Sequence, residues 1–217
     1  MNILGTVFSQ LLDLLISFTG DWVLAIVLLT LAVKVLLFPV TIKQQKALLL
    51  SQNLGQVKSL LSEKFKNRSD RINSELVKIV AKHRINPLMP LIMILVQAPI
   101  LFSLYFALVN FGTTAGSILI PWVVNAGSID NLHILPATAG LLQGLGGLAS
   151  ADRNLLMFII PAVIGLLFLW KAPAALSVYW GISSMLSLAE KKILAMEFFR
   201  TRFLKVTPPE EMLKSVG

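Results

Sequence analysis

The sequence predicts an all-α polytopic membrane protein with five transmembrane helices, an outer amphipathic N-terminal helix and a cytoplasmic helical hairpin. Of its 217 residues, 56% are hydrophobic and only 14% are charged, and the mean hydropathy is +0.79. A soluble domain averages about 25% charged residues, and so few charges cannot cover a surface in water. The composition therefore excludes a water-soluble monomer. The absence of cysteine excludes disulfides and thiol chemistry, and the presence of only two histidines argues against a metal site built from histidine.

Five stretches are apolar enough to cross a bilayer, which takes about 20 residues in a helix. They lie at residues 22–41, 88–110, 132–149, 155–170 and 172–189. The last three are short, and at about 1.5 Å per residue they predict a bilayer that is locally thin. The third span is also rich in glycine, which predicts close packing against a neighbouring helix. These glycines are Gly140, Gly144, Gly146 and Gly147.

Lysine and arginine are distributed unequally between the two sides of these spans. Ten lie in the segment 43–87, six lie from Lys191 onward and one is Arg153, whereas the opposite side carries only Lys171. Because cytoplasmic loops accumulate positive charge, we predict an outer N-terminus and a cytoplasmic C-terminus. Residues 1–20 have apolar side chains at helical spacing and no signal-peptide cleavage site. They predict an interfacial helix on the outer surface, with an uncleaved further span as the alternative.

The segment 43–86 is polar, basic and favourable to helix formation. Its apolar residues recur at alternating spacings of three and four on both sides of a turn near residue 68: Ala47, Leu50, Leu54, Val57 and Leu61, then Ile72, Leu76, Ile79 and His83. This pattern predicts two helices packed as an antiparallel hairpin. Two interpretations of its charge stay open, a solvated connector and a docking arm for ribosomal RNA, acidic lipid or an acidic protein.

The basic residues that would carry such docking belong to the hairpin. They are Lys58, Lys64, Lys66, Arg68, Arg71 and Lys78. Nothing in the segment has the signature of a folded module that reads a nucleic-acid sequence. Residues 196–217 are predicted to form a cytoplasmic basic tail.

Lys34 is the ionisable residue inside a predicted span, about 13 Å inward of Lys43 by helical rise. One interpretation is a lysine that snorkels to the cytoplasmic interface. The other is a cation in a water-filled groove, since ionisable residues in membrane spans are usually functional. Neutral polar residues on the spans favour the groove: Thr30, Gln97, Thr138, Gln143, Ser177, Tyr179, Ser183, Ser184 and Ser187. The sequence places no acidic residue beside Lys34, so we predict that water and these groups solvate it.

Several stretches resemble, in their order and spacing, the YidC family of membrane protein insertases, which has mitochondrial and thylakoid relatives. The resemblance covers residues 1–195. Its matching stretches are Leu37–Gln44, Asn86–Leu88, Gln97–Ile100, Ile134–Pro136 and Ala172–Trp180. It implies an insertase and chaperone of the bacterial plasma membrane that is not an enzyme and needs no cofactor. In this family a hydrophilic groove, open to the cytoplasm and to lipid, receives nascent membrane proteins.

The resemblance also implies roles for individual residues and partners. Lys34 stands where the family usually has arginine, so it keeps the charge but loses the planar fork of five donors. The resemblance also places Thr30, Gln97, Tyr179 and Trp180 at positions that line the substrate groove. Gln143 is added to these substrate-groove residues because it is a polar residue of the third span. The hairpin and tail would engage ribosomes and targeting factors. The insertase would work alone or beside the Sec translocon. The chain looks like a minimal member of the family. Two alternatives are a small anion transporter or channel using Lys34, and a scaffold using only the hairpin.

Overall fold

A computed structural model describes residues 3–66, 68–83, 85–86, 88–113, 115–148 and 155–214, with backbone alone at positions 90, 91, 93, 94, 96, 97 and 101. Over this part of the chain the fold is all-helical, apart from an isolated β-bridge between Ile129 and Pro173. The helices are α1 Ile3–Thr19, α2 Trp22–Lys64, α3 Ser69–Lys82, α4 Met89–Val109, α5 Ile134–Leu148, α6 Leu155–Leu169, α7 Ala174–Ala195, α8 Glu197–Phe199 and α9 Pro209–Lys214, with a π-helix at Arg200–Leu204.

Each predicted span coincides with a helix, and α4, α5 and α6 agree with the prediction within two residues at both ends. The other two helices extend beyond their predicted spans. α2 continues through Pro39 to Lys64 as one helix of 43 residues. A proline inside a helix removes one hydrogen bond and usually kinks or breaks it, but apolar membrane helices tolerate proline because neighbouring groups compensate for the lost bond.

Among the described helices, α2 is the one that is long and apolar enough to cross a membrane by length and composition. Shorter apolar helices lie at Ile3–Thr19, Ala98–Val109, Ile134–Leu148 and Leu155–Leu169. Large apolar side chains are exposed on α2, including Val35 at 68% and Leu36 at 77%, and on the shorter helices, including Leu167 at 69%. Continuous apolar exposure of this kind is unfavourable in water and marks surfaces that lipid or protein covers. The number of spans and their orientation stay predictions.

The chain divides into two compact units. The first unit comprises the chain up to Leu37 together with Gln97–Ile193. Side chains from α1, α2, α4, α5, α6 and α7 share its core, and the largest fully buried ones include Trp22, Leu108 and Leu176. Residues of the connection between α4 and α5, such as Val123, belong to the same core.

Helix α1 has three distinct faces in the first unit. Phe8 and Leu12 are buried in the core. Gln10, Asp13 and Ser17 form an exposed polar face. The third face is apolar and exposed, and it consists of Ile3, Val7, Leu11, Leu14 and Phe18. A helix with one face on protein, one polar and one apolar suits the boundary between lipid and water, and the interfacial position of α1 stays a prediction.

Asp21 caps the N-terminus of α2 and joins it to the connection between α4 and α5. Its carboxylate accepts hydrogen bonds from the backbone amides of Val23 at 2.7 Å and Leu24 at 3.3 Å, which lack partners in the first turn. The Ser117 hydroxyl at 3.0 Å and the Ile118 amide at 2.8 Å donate two more. Burial raises the pKa of the Asp21 carboxyl, but these hydrogen bonds outweigh it and lower the pKa below the ordinary value of 3.8.

Asp21→Asn is expected to lower the free energy of unfolding by about 1 kcal/mol at neutral pH, because hydrogen bonds to a charged acceptor are worth more than those to a neutral one. A lowered pKa in the folded state means that the carboxylate stabilises the fold above pH 3.8 and loses this effect as the pH falls through the folded-state pKa. Unfolding curves in detergent at several pH values should therefore converge for the two proteins below that point. A difference that is unchanged by acid would contradict this assignment.

Helices α5 and α6 approach each other closely through glycine. A Cβ atom added at Gly140 would lie 2.8 Å from the carbonyl oxygen of Ala162, and one at Gly144 would lie 2.8 Å from the carbonyl oxygen of Phe158. A Cβ atom at Gly147 would overlap the carbonyl group of Met157, whereas one at Gly146 would meet nothing within 4 Å. Close packing of this glycine-rich helix is confirmed at three of the four predicted positions.

The second unit comprises Phe38–Val96 together with the chain from Leu194 onward. Its core contains four of the residues predicted to form the hairpin seam, Val57, Leu61, Ile72 and Ile79. Leu50, Leu54 and Leu76 pack against this core. Between α2 and α3, Lys66 has a positive φ of 48°, and the backbone amide of Arg68 donates a hydrogen bond of 3.1 Å to the carbonyl oxygen of Phe65. The apolar seam is confirmed at these positions, and its cytoplasmic location stays a prediction.

The C-terminal segment is folded onto this core, which the sequence reasoning missed. Met212 of α9 is fully buried between the side chains of the seam, and Leu204 of the π-helix is also buried. The Asn53 side-chain amide donates a hydrogen bond of 2.9 Å to the carbonyl oxygen of Thr207. The predicted basic tail therefore supplies part of the core of the second unit.

Candidate functional site

Lys34 of α2 forms an ion pair with Glu190 of α7. Lys34 Nζ lies 3.1 Å from Glu190 Oε2, and it donates a second hydrogen bond of 2.7 Å to the hydroxyl oxygen of Ser187. Only 19% of the lysine side chain and 13% of the glutamate side chain are exposed. Solvent and salt screen such an enclosed pair less than they screen a surface salt bridge. The pair therefore forms a distinct polar site within the first unit.

The prediction that no acidic residue pairs with Lys34 is wrong. The prediction failed because it ended the last span at residue 189, which placed Glu190 in the tail and away from the other spans. α7 instead continues to Ala195, so Glu190 lies three residues beyond Ser187 on the same face of one helix. The lysine is thus neutralised by a carboxylate of the same unit. It also donates a hydrogen bond to Ser187, one of the neutral polar residues that were predicted to solvate it.

The spacing of polar residues along α7 creates this site. Ser183, Ser187 and Glu190 follow one another at intervals of four and three, which aligns them on one face of the helix. The Ser187 hydroxyl donates a hydrogen bond of 2.8 Å to the carbonyl oxygen of Ser183, so its oxygen accepts the bond from Lys34. This spacing is visible in the sequence, and it is the signal that could have identified Glu190 as a partner.

Lys191 adds a second ammonium group to the site. Burial, and then repulsion by the positive charge of Lys34, lower the pKa of the Lys191 ammonium group. Its Nζ atom donates a hydrogen bond of 2.9 Å to the carbonyl oxygen of Gly146, in the last turn of α5, where carbonyl groups lack partners and a cation is favoured. We name Lys34, Glu190 and Lys191 the charge cluster, which carries one more positive than negative charge. No group of acidic, histidine or cysteine side chains that could hold a metal ion occurs in the described ranges.

Gln143 of α5 and Trp180 of α7, two predicted groove residues, are brought together. The indole Nε1 of Trp180 donates a hydrogen bond of 2.7 Å to Gln143 Oε1, and the Trp180 ring lies 5.3 Å from the ring of Phe168. Gly165 of α6 makes room for the amide, because a Cβ atom there would collide with Gln143 Oε1. Both side chains are half-buried, so each keeps some exposed surface.

The other predicted groove residues have a different environment. Thr30 is buried, and its hydroxyl donates a hydrogen bond of 2.6 Å to the carbonyl oxygen of Ile26. Tyr179 is also buried and hydrogen-bonded to the Ser183 side chain. Gln97 belongs to α4, but its side chain lies outside the described residues. Lining of a groove by these three residues stays a prediction.

The basic residues predicted to dock a partner all lie on the surface of the second unit. Lys58, Lys64, Lys66, Arg68, Arg71 and Lys78 are exposed. Lys78 forms an ion pair of 2.8 Å with Glu75, three residues away on α3, and such exposed pairs contribute little to stability. The set thus presents predominantly positive charge to solvent.

An all-helical chain with exposed apolar helices and an enclosed ion pair between two of them has the features of a helical membrane protein with an internal polar site. More particularly, the chain belongs to the 60Kd inner membrane protein family, whose model matches residues 14–200. This match and the relatives described next confirm the resemblance to the YidC family.

Three curated relatives carry the name membrane protein insertase YidC. The protein from Dechloromonas aromatica is 29% identical over 185 residues, which cover 83% of this chain and 34% of the relative. That from Geotalea daltonii is 31% identical over 180 residues, covering 81% and 34%. That from Wolinella succinogenes is 30% identical over 187 residues, covering 83% and 35%. The chain thus spans about a third of the length of the curated relatives it matches.

Proposed function

We propose that this chain is a membrane protein insertase of the bacterial plasma membrane. It would move the short polar tail of a nascent protein across the bilayer and release the adjoining apolar segment into lipid. The observation that carries the proposal is the enclosed pair of Lys34 and Glu190 between apolar helices, in a chain of a family whose curated members are named insertases. A charged site in such helices is energetically costly, and ionisable residues at such positions usually serve a function.

The proposed mechanism lowers the cost of moving polar groups through hydrocarbon. The charge cluster, Ser187 and the exposed parts of Gln143 and Trp180 would form a hydrophilic groove open to the cytoplasm, supplying hydrogen bonds that lipid cannot. Burial of the substrate's apolar segment in lipid would drive insertion, at about 25 cal/mol per Å² of apolar surface. The short helices α5 and α6, each about 22 Å long at 1.5 Å per residue, would thin the bilayer and shorten the barrier.

The exposed basic residues of the second unit are proposed to bind the ribosome that supplies the nascent substrate protein. Their charge favours an anionic partner such as the ribosome, and the Sec translocon and targeting factors are further proposed partners. A small anion transporter that uses Lys34 is less well supported, because the curated relatives are named insertases.

Photo-crosslinking tests the proposed function. A benzophenone amino acid at position 180, which replaces one aromatic side chain with another, is expected to crosslink a ribosome-bound single-span protein when that protein contains its apolar segment. Position 97 of α4 provides a second site. Position 124 provides the control, because Val124 is 81% exposed and lies in the connection between α4 and α5, on the predicted outer side. Equal crosslinking at 124 and 180, or none at 97 and 180, would refute an insertion groove.

A further inference from the structure

Glu190 pairs with Lys34, the cation that an acidic residue in the tail of a substrate would approach within the proposed groove. Glu190 Oε2 lies 3.1 Å from Lys34 Nζ, and both side chains are largely buried. Two carboxylates sharing one ammonium group at this distance would repel each other. An acidic residue of a passing tail can therefore pair with Lys34 only if Glu190 gives way.

We propose that Glu190 is a specificity-determining residue, an internal competitor that a substrate carboxylate must displace from Lys34. The inference rests on the proposed function, and it names the substrate feature that this site selects. In the resting state Glu190 neutralises Lys34, so the enclosed cation is never left unpaired, which would be costly. During insertion the tail carboxylate exchanges with Glu190, and the number of ion pairs made by Lys34 does not change.

The exchange limits how strongly acidic tails are favoured. A free Lys34 would gain a full ion pair from a tail carboxylate, whereas the paired lysine gains only the difference between two similar contacts. Weak net binding suits a site that must release its substrate to lipid, since tight binding of an intermediate slows its departure. Glu190 therefore reduces the difference in insertion efficiency between substrates with acidic tails and substrates with neutral tails.

The charge of the cluster sets the expected number of acidic residues. Lys34 and Lys191 supply two ammonium groups and Glu190 supplies one carboxylate, so a single substrate carboxylate makes the cluster neutral. The displaced Glu190 stays within the same cluster, where Lys191 provides a second positive charge. A second acidic residue in the tail would bring excess negative charge into an enclosed site and should add no further benefit.

Glu190→Gln separates this role from a purely structural one. Glutamine keeps the size of the side chain and an oxygen that accepts a hydrogen bond from Lys34, but it cannot neutralise the lysine. The full-length variant, reconstituted in proteoliposomes, is tested with three single-span substrates whose tails contain no, one or two aspartates. Insertion of the one-aspartate substrate relative to the neutral one is expected to rise about two- to fivefold, the range of a partly exposed ion pair.

Two further variants control this experiment. Glu210→Gln changes the net charge equally at an exposed residue of α9 and is expected to leave the ratio unchanged. Glu190→Asp, which keeps the charge on a shorter side chain, is expected to give an intermediate ratio, and it provides the test if the glutamine variant does not fold. An unchanged ratio in both Glu190 variants, with insertion intact, overturns the inference alone. Absence of insertion for every tail in the wild-type chain overturns the proposed function instead.

Discussion

Gly140→Ala is expected to destabilise the first unit, whereas Gly146→Ala on the same helix is expected to leave its stability unchanged or raise it. The added Cβ atom at Gly140 would lie 2.8 Å from the Ala162 carbonyl oxygen and 3.2 Å from the Leu166 amide nitrogen. Both neighbours are backbone atoms of α6, which cannot move aside without separating the helices. Overpacking of this kind costs about 1–3 kcal/mol, more than the gain of at most about 1 kcal/mol from replacing glycine in a helix.

The comparison of the two alanine variants removes the contribution of helix propensity, because both replace a glycine within α5. Unfolding in mixed micelles, followed by tryptophan fluorescence as the fraction of SDS increases, gives the relative stabilities. Stabilisation of both variants by the same amount would show that α5 and α6 lie further apart than the structure places them. A loss at position 146 equal to that at position 140 would point to a role of the α5 backbone unrelated to α6.

The helices themselves could be predicted because their signals are local. Runs of apolar residues located α4, α5 and α6 within two residues, and the alternation of three and four located the seam that contains Val57 and Ile79. What local patterns do not determine is which faces of distant helices meet. Lys34 and Glu190 are separated by 155 other residues, and only the packing of α2 on α7 shows that they form a pair.

Helix ends explain much of what the sequence reasoning missed. A hydropathy boundary marks where apolar residues stop, and not where a helix stops, so α2 and α7 both run past their predicted ends. The extension of α7 is the one that affects the candidate site, because it places Glu190 beside Lys34. Thr30 shows that a polar residue in a span need not line a groove. Its hydroxyl donates a hydrogen bond to a carbonyl oxygen of its own helix, so its polarity gives no information about a groove.

The C-terminal segment was misjudged because its signal is short. Residues 208–214 combine two prolines, two glutamates and then Met212 and Leu213, which fits a helix start followed by one apolar contact. Six residues are too few to form a stable helix alone, so α9 depends on its docking. The charge of the segment is visible in the sequence. The surface on which the segment packs is formed by α2 and α3, and no local sequence pattern shows that surface.

Met212→Ala is therefore expected to release α9 from the second unit. Met212 is fully buried in the core formed with Val57 and Ile79, and truncating a buried methionine costs about 2–5 kcal/mol. A helix of six residues has no comparable source of stability. Hydrogen exchange should accelerate in α9 and, to a smaller extent, at the seam residues of α2 and α3.

Glu211→Ala is the matched control, since the neighbouring residue is exposed and its removal should leave exchange in the seam unchanged. Equal exchange rates in wild type and Met212→Ala would mean that the segment is held by other contacts, such as the hydrogen bond from Asn53 to Thr207. Faster exchange in α9 without any change in the seam would show that Met212 stabilises α9 but not the seam residues of α2 and α3. It would show that α9 depends on the core of the second unit, whereas that core remains stable without α9.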